Sequence, residues 1–178
     1  EFEAAGLKVI RNDSQQPLEA REAAHLVGIA SNHLMHLKAR VLNWKNPETG
    51  AAERMVLSGS MNPGDGAARN DENLNIIRDP RIVARYERKV DDVLTHTRTN
   101  NVWDEGAGIN VLFTPAKEGP RPLEKLFEWI DAEQEQILIN VFDIKDLVDP
   151  KSKKKLTEKL IEAKDRGVDV VLVTDRKK

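Results

Sequence analysis

His36 and Lys38, separated by one leucine, stand upstream of the tetrad Gly59-Ser60-Met61-Asn62. An imidazole can attack an electrophile, while an ammonium, a hydroxyl and a carboxamide can each donate a hydrogen bond to an anionic oxygen. That set suits a phosphodiester: one nucleophile beside donors for the nonbridging oxygens. In an extended strand alternate side chains share a face. His36 and Lys38 are therefore expected to point one way, and Met35, Leu37, Ala39 and Val41 the other way, into a core. Ser60 and Asn62 repeat the spacing after a second strand-like run, Met55-Val56-Leu57-Ser58. Asn46-Pro47-Glu48-Thr49-Gly50 between the runs is turn chemistry, predicting a hairpin that sets all four side chains on one patch.

The elements that must hold this patch follow from periodicity. Strands are predicted over 33–44, 54–62 and 74–77. Asp79-Pro80 supplies a cap and a first-turn proline, so a helix opens there and runs to about Thr97, with Ile82, Val83, Tyr86, Val90, Val93 and Leu94 at helical spacing. Upstream, Ala4-Ala5-Gly6 reads as a helix tail and Leu7–Ile10 as a short strand, while His25–Ile29 is apolar and ambiguous. Residues 98–108 are polar and glycine-rich, a linker by composition. Beyond it come strand 109–113, helix 122–134, strand 137–142, helix 151–166 closed by Gly167, and strand 168–173. Such alternation predicts an α/β protein whose mixed sheet is flanked by helices, with Val141, Val170 and Val171 buried on both faces.

Bulk properties narrow the classes. The 178 residues are 39% apolar and 33% charged, as in a solvated α/β domain. The net charge of −2 gives no general attraction to nucleic acid or acidic membranes. No cysteine is present, which excludes disulfides and thiolate chemistry. No apolar run approaches the roughly 20 residues of a membrane-spanning helix.

With His36-x-Lys38, Gly59-Ser60-x-Asn62, and Glu72 ahead of the next strand, the sequence resembles the phospholipase D superfamily of HKD-type phosphodiesterases. Asn70-Asp71-Glu72-Asn73-Leu74 and the tyrosine-bearing helix after it look like the end of a repeat in that family. Val111–Pro115, Ile137–Val141 and Ala163–Val171 look like the beginning of one. The resemblance implies a phospholipase D-like fold, divided into 1–97 (the back half of a repeat), the linker 98–108, and 109–178 (the front half of a repeat, either truncated or pairing with 1–97 as one permuted domain).

By the same resemblance His36 is the nucleophile or its general-acid counterpart, and Lys38, Ser60 and Asn62 bind the phosphate. Glu72 holds the second ring nitrogen of His36. No cofactor and no metal are implied. The favoured substrate is a phospholipid or another phosphodiester; nucleic acid is disfavoured by the charge balance, and a catalytically silent binding or scaffold module of the same fold is the alternative from another class. Asn43 stands where the signature has aspartate, keeping a hydrogen bond without the charge. Members of the family pair two signatures, and here there is one, so a second repeat or a homodimer partner is implied. Among the other residues, His25, His33, His96, Asp65 and Asp71 read as structural or solvated. Lys151–Lys155 reads as a solvated face, and Trp44, Trp103 and Trp129 as packing anchors.

Overall fold

The computed structural model describes Ala5 and residues 36–62, 64, 69–95 and 97–175. They build a mixed α/β architecture in two units, each with its own small sheet. Among the described residues, the first unit takes everything up to Asn100 together with Asp104–Val111; the second takes Asn101–Trp103 and the chain from Leu112 onward. Residues 98–108, expected to link two halves, are thus shared between the units, and Thr99 and Asn101 within them are buried. The helix tail at Gly6, the strand 7–10, the segment 25–29 and the side chains of His33 and Met35 lie outside the described residues.

In the first unit β1 (Ala39–Lys45), β2 (Ala52–Gly59) and β3 (Leu74–Ile77) form an antiparallel sheet in that order. The hairpin tip closes as its composition dictates. Asn46 Oδ1 accepts the Glu48 and Thr49 N–H groups at 2.8 and 3.2 Å, and Gly50 takes the left-handed φ of 70°. Helix α1 (Pro80–Leu94) follows, its first turn capped by the Asp79 carboxylate on the Arg81 N–H at 2.9 Å. It covers one sheet face: Val56 is fully buried, and the Tyr86 hydroxyl donates to Ser58 Oγ at 3.0 Å. Lys89 is turned inward on this helix, whereas Val90 is 48% exposed. At 3.6 residues per turn Lys89 lies roughly 20° from Ile82 around the axis and Val90 roughly 80°. Burial holds the Lys89 ammonium below the usual lysine range, an effect the neighbouring Asp92 partly offsets.

The second unit is a β-α-β crossover with a helix before it. It comprises α2 (Pro122–Ala132), β4 (Gln136–Val141), α3 (Leu156–Asp165) and β5 (Asp169–Thr174), with β4 and β5 parallel. Phe127, Ile130, Leu156, Leu160, Ala163 and Val168 form its core against Ile137, Ile139 and Val170. Gly167, at φ 94°, closes α3 where the sequence places a helix stop.

Three expectations are corrected. Residues 109–113 form no strand, and at Phe113 a side chain takes the place of a neighbouring strand. The buried Asn101 amide accepts the Phe113 N–H at 2.8 Å and donates to its carbonyl at 3.0 Å. Helix α3 starts at Leu156 rather than Lys151. The Asp149 carboxylate takes the Lys151 and Ser152 N–H groups in a turn, Lys153 has φ 64°, and so the helix nucleates only afterwards. The described strands form two sheets rather than one, and the apolar runs of β4 and β5 are not buried on both faces: Val141 and Val170 are half-buried, while Leu138 is 66%, Val171 42% and Val173 55% exposed.

Candidate active site

Strand direction decides where the candidate residues collect. With β1, β2 and β3 antiparallel in that order, the start of β1, the end of β2 and the start of β3 share one end of the sheet. Residues 36–38 lead into β1, 60–62 leave β2, and Glu72 and Asn73 lead into β3. His36, Lys38, Ser60, Asn62 and Glu72 therefore belong to one rim, although up to 36 positions separate them in sequence. The strand itself begins at Ala39, so His36 and Lys38 sit in the extended entry to β1 rather than inside a strand over 33–44.

The pleat does not produce the shared face that i, i+2 spacing suggested. Ala39 pairs with Ser58, and continuing that register would oppose Lys38 to Gly59 and Leu37 to Ser60. In a regular pleat Lys38 and Ser60 would then lie on opposite faces. The chain leaves the pleat at Ser60, which is a bend, and Leu37 is 41% exposed instead of entering a core. Whatever juxtaposition the rim achieves comes from the loop between β2 and β3, not from alternation.

That loop is closed tightly at its neck. The Ser60 N–H is shared between the Asn73 carbonyl at 3.2 Å and Asn73 Oδ1 at 3.0 Å, and the Asn73 N–H donates to Ser60 Oγ at 2.9 Å. Gly59 is what permits the approach: a Cβ there would lie 2.0 Å from the Asn73 carbonyl oxygen. One position further back, Tyr86 anchors Ser58 to α1. Ser60 is thus held on both sides, with Asn62 two residues past the neck and Glu72 one residue before it.

The individual groups are less engaged than the neck. His36 is exposed, and the Lys38 ammonium folds back to donate to the His36 carbonyl at 2.8 Å. Asn62 is exposed. Glu72 is half-buried, with Asn70 Nδ2 3.5 Å from its carboxylate, and no hydrogen bond joins it to the His36 ring in this structure. Asn43 is exposed on β1 and paired across the hairpin with Arg54, which bonds Glu87 on α1. Asp71 is an exposed loop acid; His25, His33, His96 and Asp65 lie outside the described residues. Among the described residues no group of three or more His, Asp or Glu is arranged to hold a metal ion.

Two residues carry more of the site's geometry than the sequence suggested. Asn73 reads only as the neighbour of Glu72, and Gly59 only as a turn residue. A signal for Asn73 existed in its type, since an asparagine just before a strand readily bonds backbone groups with its amide. The tryptophans also differ from expectation. Trp103 and Trp129 meet at 5.4 Å between ring centroids with Lys125 4.8 Å over Trp103, yet Trp129 is 55% exposed rather than a buried anchor. No protein-family model, no curated protein and no solved structure matches this chain.

Proposed function

We propose that this chain carries a phosphodiester-hydrolysing site of the phospholipase D type, on a phospholipase D-like fold, with a phospholipid as the favoured substrate. The observation that supports it is the common rim: a histidine, a lysine, a hydroxyl, a carboxamide and a carboxylate brought to one end of a three-stranded sheet. In the reaction, a ring nitrogen of His36 attacks phosphorus, the bond to the leaving alcohol breaks, and a phosphohistidine remains. A second, protonated histidine delivers its proton to the departing oxygen, then as a base takes a proton from the water that attacks the phosphohistidine. Lys38, Ser60 and Asn62 bind the nonbridging oxygens, and Glu72 orients the imidazole. Lys38 must release the His36 backbone carbonyl to do so, a modest cost because that bond is solvent-exposed.

The second histidine comes from another copy of this chain or from a further repeat, because His36 cannot be base and acid at once. Open apolar surface supports such a partner: Leu42, Leu74 and Ile76, on the sheet face away from α1, are 40–55% exposed. Within the same chemistry, lipid is favoured over nucleic acid by the state of the basic run. Lys151 pairs with Glu128 at 2.6 Å, Lys154 with Glu162, and Lys155 with Asp146 at 3.8 Å, leaving little net positive field for a phosphate backbone.

The deciding experiment is trapping with a ³²P-labelled phosphodiester, quenched in alkaline detergent. Alkali-stable, acid-labile label on the protein, lost in His36→Ala and unaffected by EDTA, is the expected result. Absence of label together with absence of turnover would leave the scaffold reading standing. Choline release against DNA nicking separates the two substrates.

A further inference from the structure

The geometry points to Asn73 as a positioning residue that aims the Ser60 hydroxyl proton at the bound phosphate, an inference that rests on the phosphodiester reading above. A serine hydroxyl has one proton to give and two lone pairs to accept with. Here Ser60 Oγ accepts the Asn73 N–H at 2.9 Å. One lone pair is thereby committed, and the O–H must point away from the Asn73 backbone. The Ser60 N–H is tied in turn to Asn73 Oδ1 at 3.0 Å and to the Asn73 carbonyl at 3.2 Å. With the Ser60 main chain held and Oγ committed as an acceptor, the direction left to the hydroxyl proton lies away from the Asn73 backbone. Gly59 gives the arrangement its closeness, since any Cβ would strike the Asn73 carbonyl.

This clasp does a second thing. It closes the loop 61–72 at its neck, so Asn62 and Glu72 leave the same point in opposite chain directions. A donor for the phosphate and the carboxylate for the imidazole are therefore tethered within two residues of one knot. The Asn73 side chain touches no reacting atom: its Oδ1 holds the Ser60 N–H, and with it the Ser60 main chain on whose placement the Oγ contact to the Asn73 main-chain N–H depends. Holding a donor in place before substrate arrives avoids the entropy of ordering it afterwards.

The test is a double-mutant cycle on the full chain with inorganic phosphate as the probe, followed by amide chemical shifts at Ser60 and Asn62. Asn73→Ala should weaken phosphate by about tenfold, the scale of one well-aligned hydrogen bond. In a Ser60→Ala background the same change should cost almost nothing, because the hydroxyl it aims is gone. Exchange protection of the Ser60 N–H should fall in Asn73→Ala and persist in Asn73→Asp, which keeps the accepting oxygen. Equal losses in both backgrounds would mean a merely structural asparagine and would overturn the inference. So would wild-type phosphate binding that Asn73→Ala leaves unchanged. A wild-type chain that binds no phosphate while the Ser60 N–H stays protected overturns the phosphodiester reading, and the aiming role with it. Should Asn73→Ala fail to fold, Asn73→Leu, close in size but without the accepting oxygen, completes the cycle in the two backgrounds.

Discussion

Replacing Gly59 by alanine tests the neck of the β2–β3 loop directly. The new Cβ would sit 2.0 Å from the Asn73 carbonyl oxygen, 2.8 Å from its carbon and 3.2 Å from Leu74 Cα. All three are backbone atoms, so no side chain can swing aside. Relief requires the end of β2 and the start of β3 to part by more than 1 Å, about the shortfall from ordinary van der Waals contact. That movement breaks the three Ser60–Asn73 hydrogen bonds and the terminal Gly59–Leu74 pairing. At about 1 kcal/mol net for each exposed bond, the loss is about 3 kcal/mol, similar to other overpacking costs. Two other glycines serve as controls. Gly108→Ala meets nothing within 4 Å and has no positive φ, so stability should move by no more than about 0.5 kcal/mol. Gly50→Ala also meets nothing, but its φ of +70° should cost about 1 kcal/mol of strain. Urea unfolding with site-resolved hydrogen exchange reads the two units separately. Protection of Val56 and Leu57 should fall in Gly59→Ala, and protection of Ile137 and Val170 should not. Gly59→Ala as stable as Gly108→Ala would refute the close approach and the clasp built on it.

Other perturbations probe the rim, the second unit and the assembly. Asn43→Asp should leave the fold intact and change turnover modestly, since Asn43 is exposed and the new carboxylate faces Arg54 across the hairpin, a pairing worth roughly 0.2–1 kcal/mol; an unfolded variant in circular dichroism would contradict that placement. The Ser152 hydroxyl and the Lys151 and Ser152 N–H groups pull the Asp149 carboxyl down to about 2 from an ordinary 3.8. Its contribution to stability is therefore complete above the unfolded value and lost as pH falls from about 4 through 2. Thermal melts of Asp149→Asn should lack the part of the acid destabilisation that the wild-type chain shows in this window. Turnover, finally, should require a second histidine signature: either activity falls on dilution below a dimer dissociation constant, or the chain gains activity only when a further repeat is supplied. Full activity from a demonstrated monomer of these 178 residues would exclude both routes.

Local chemistry was legible where a single residue type dictates it. Asp79-Pro80 opened α1, Gly167 closed α3, Asn46 and Gly50 made the hairpin tip, and Leu74–Ile77 formed a strand as read. These outcomes depend on a few adjacent backbone groups, so the sequence determines them without help. Periodicity failed where a distant side chain supplied the missing bonds. Ile109–Phe113 has the composition of a strand, but Asn101 satisfies Phe113 and no neighbouring strand is needed. The basic run before Leu156 has the composition of a helix, but Asp149 captures its N–H groups first. The hairpin that brings 36–38 and 60–62 to one end of the sheet was legible in the Asn46–Gly50 turn, whereas the pairing of β3 with β2 that adds 72–73 to that end is in no spacing rule. The pairing register and the Gly59–Asn73 contact were likewise decided only in three dimensions. They set whether Ser60 follows the pleat or leaves it, and a strand's alternation says nothing about where the pleat stops.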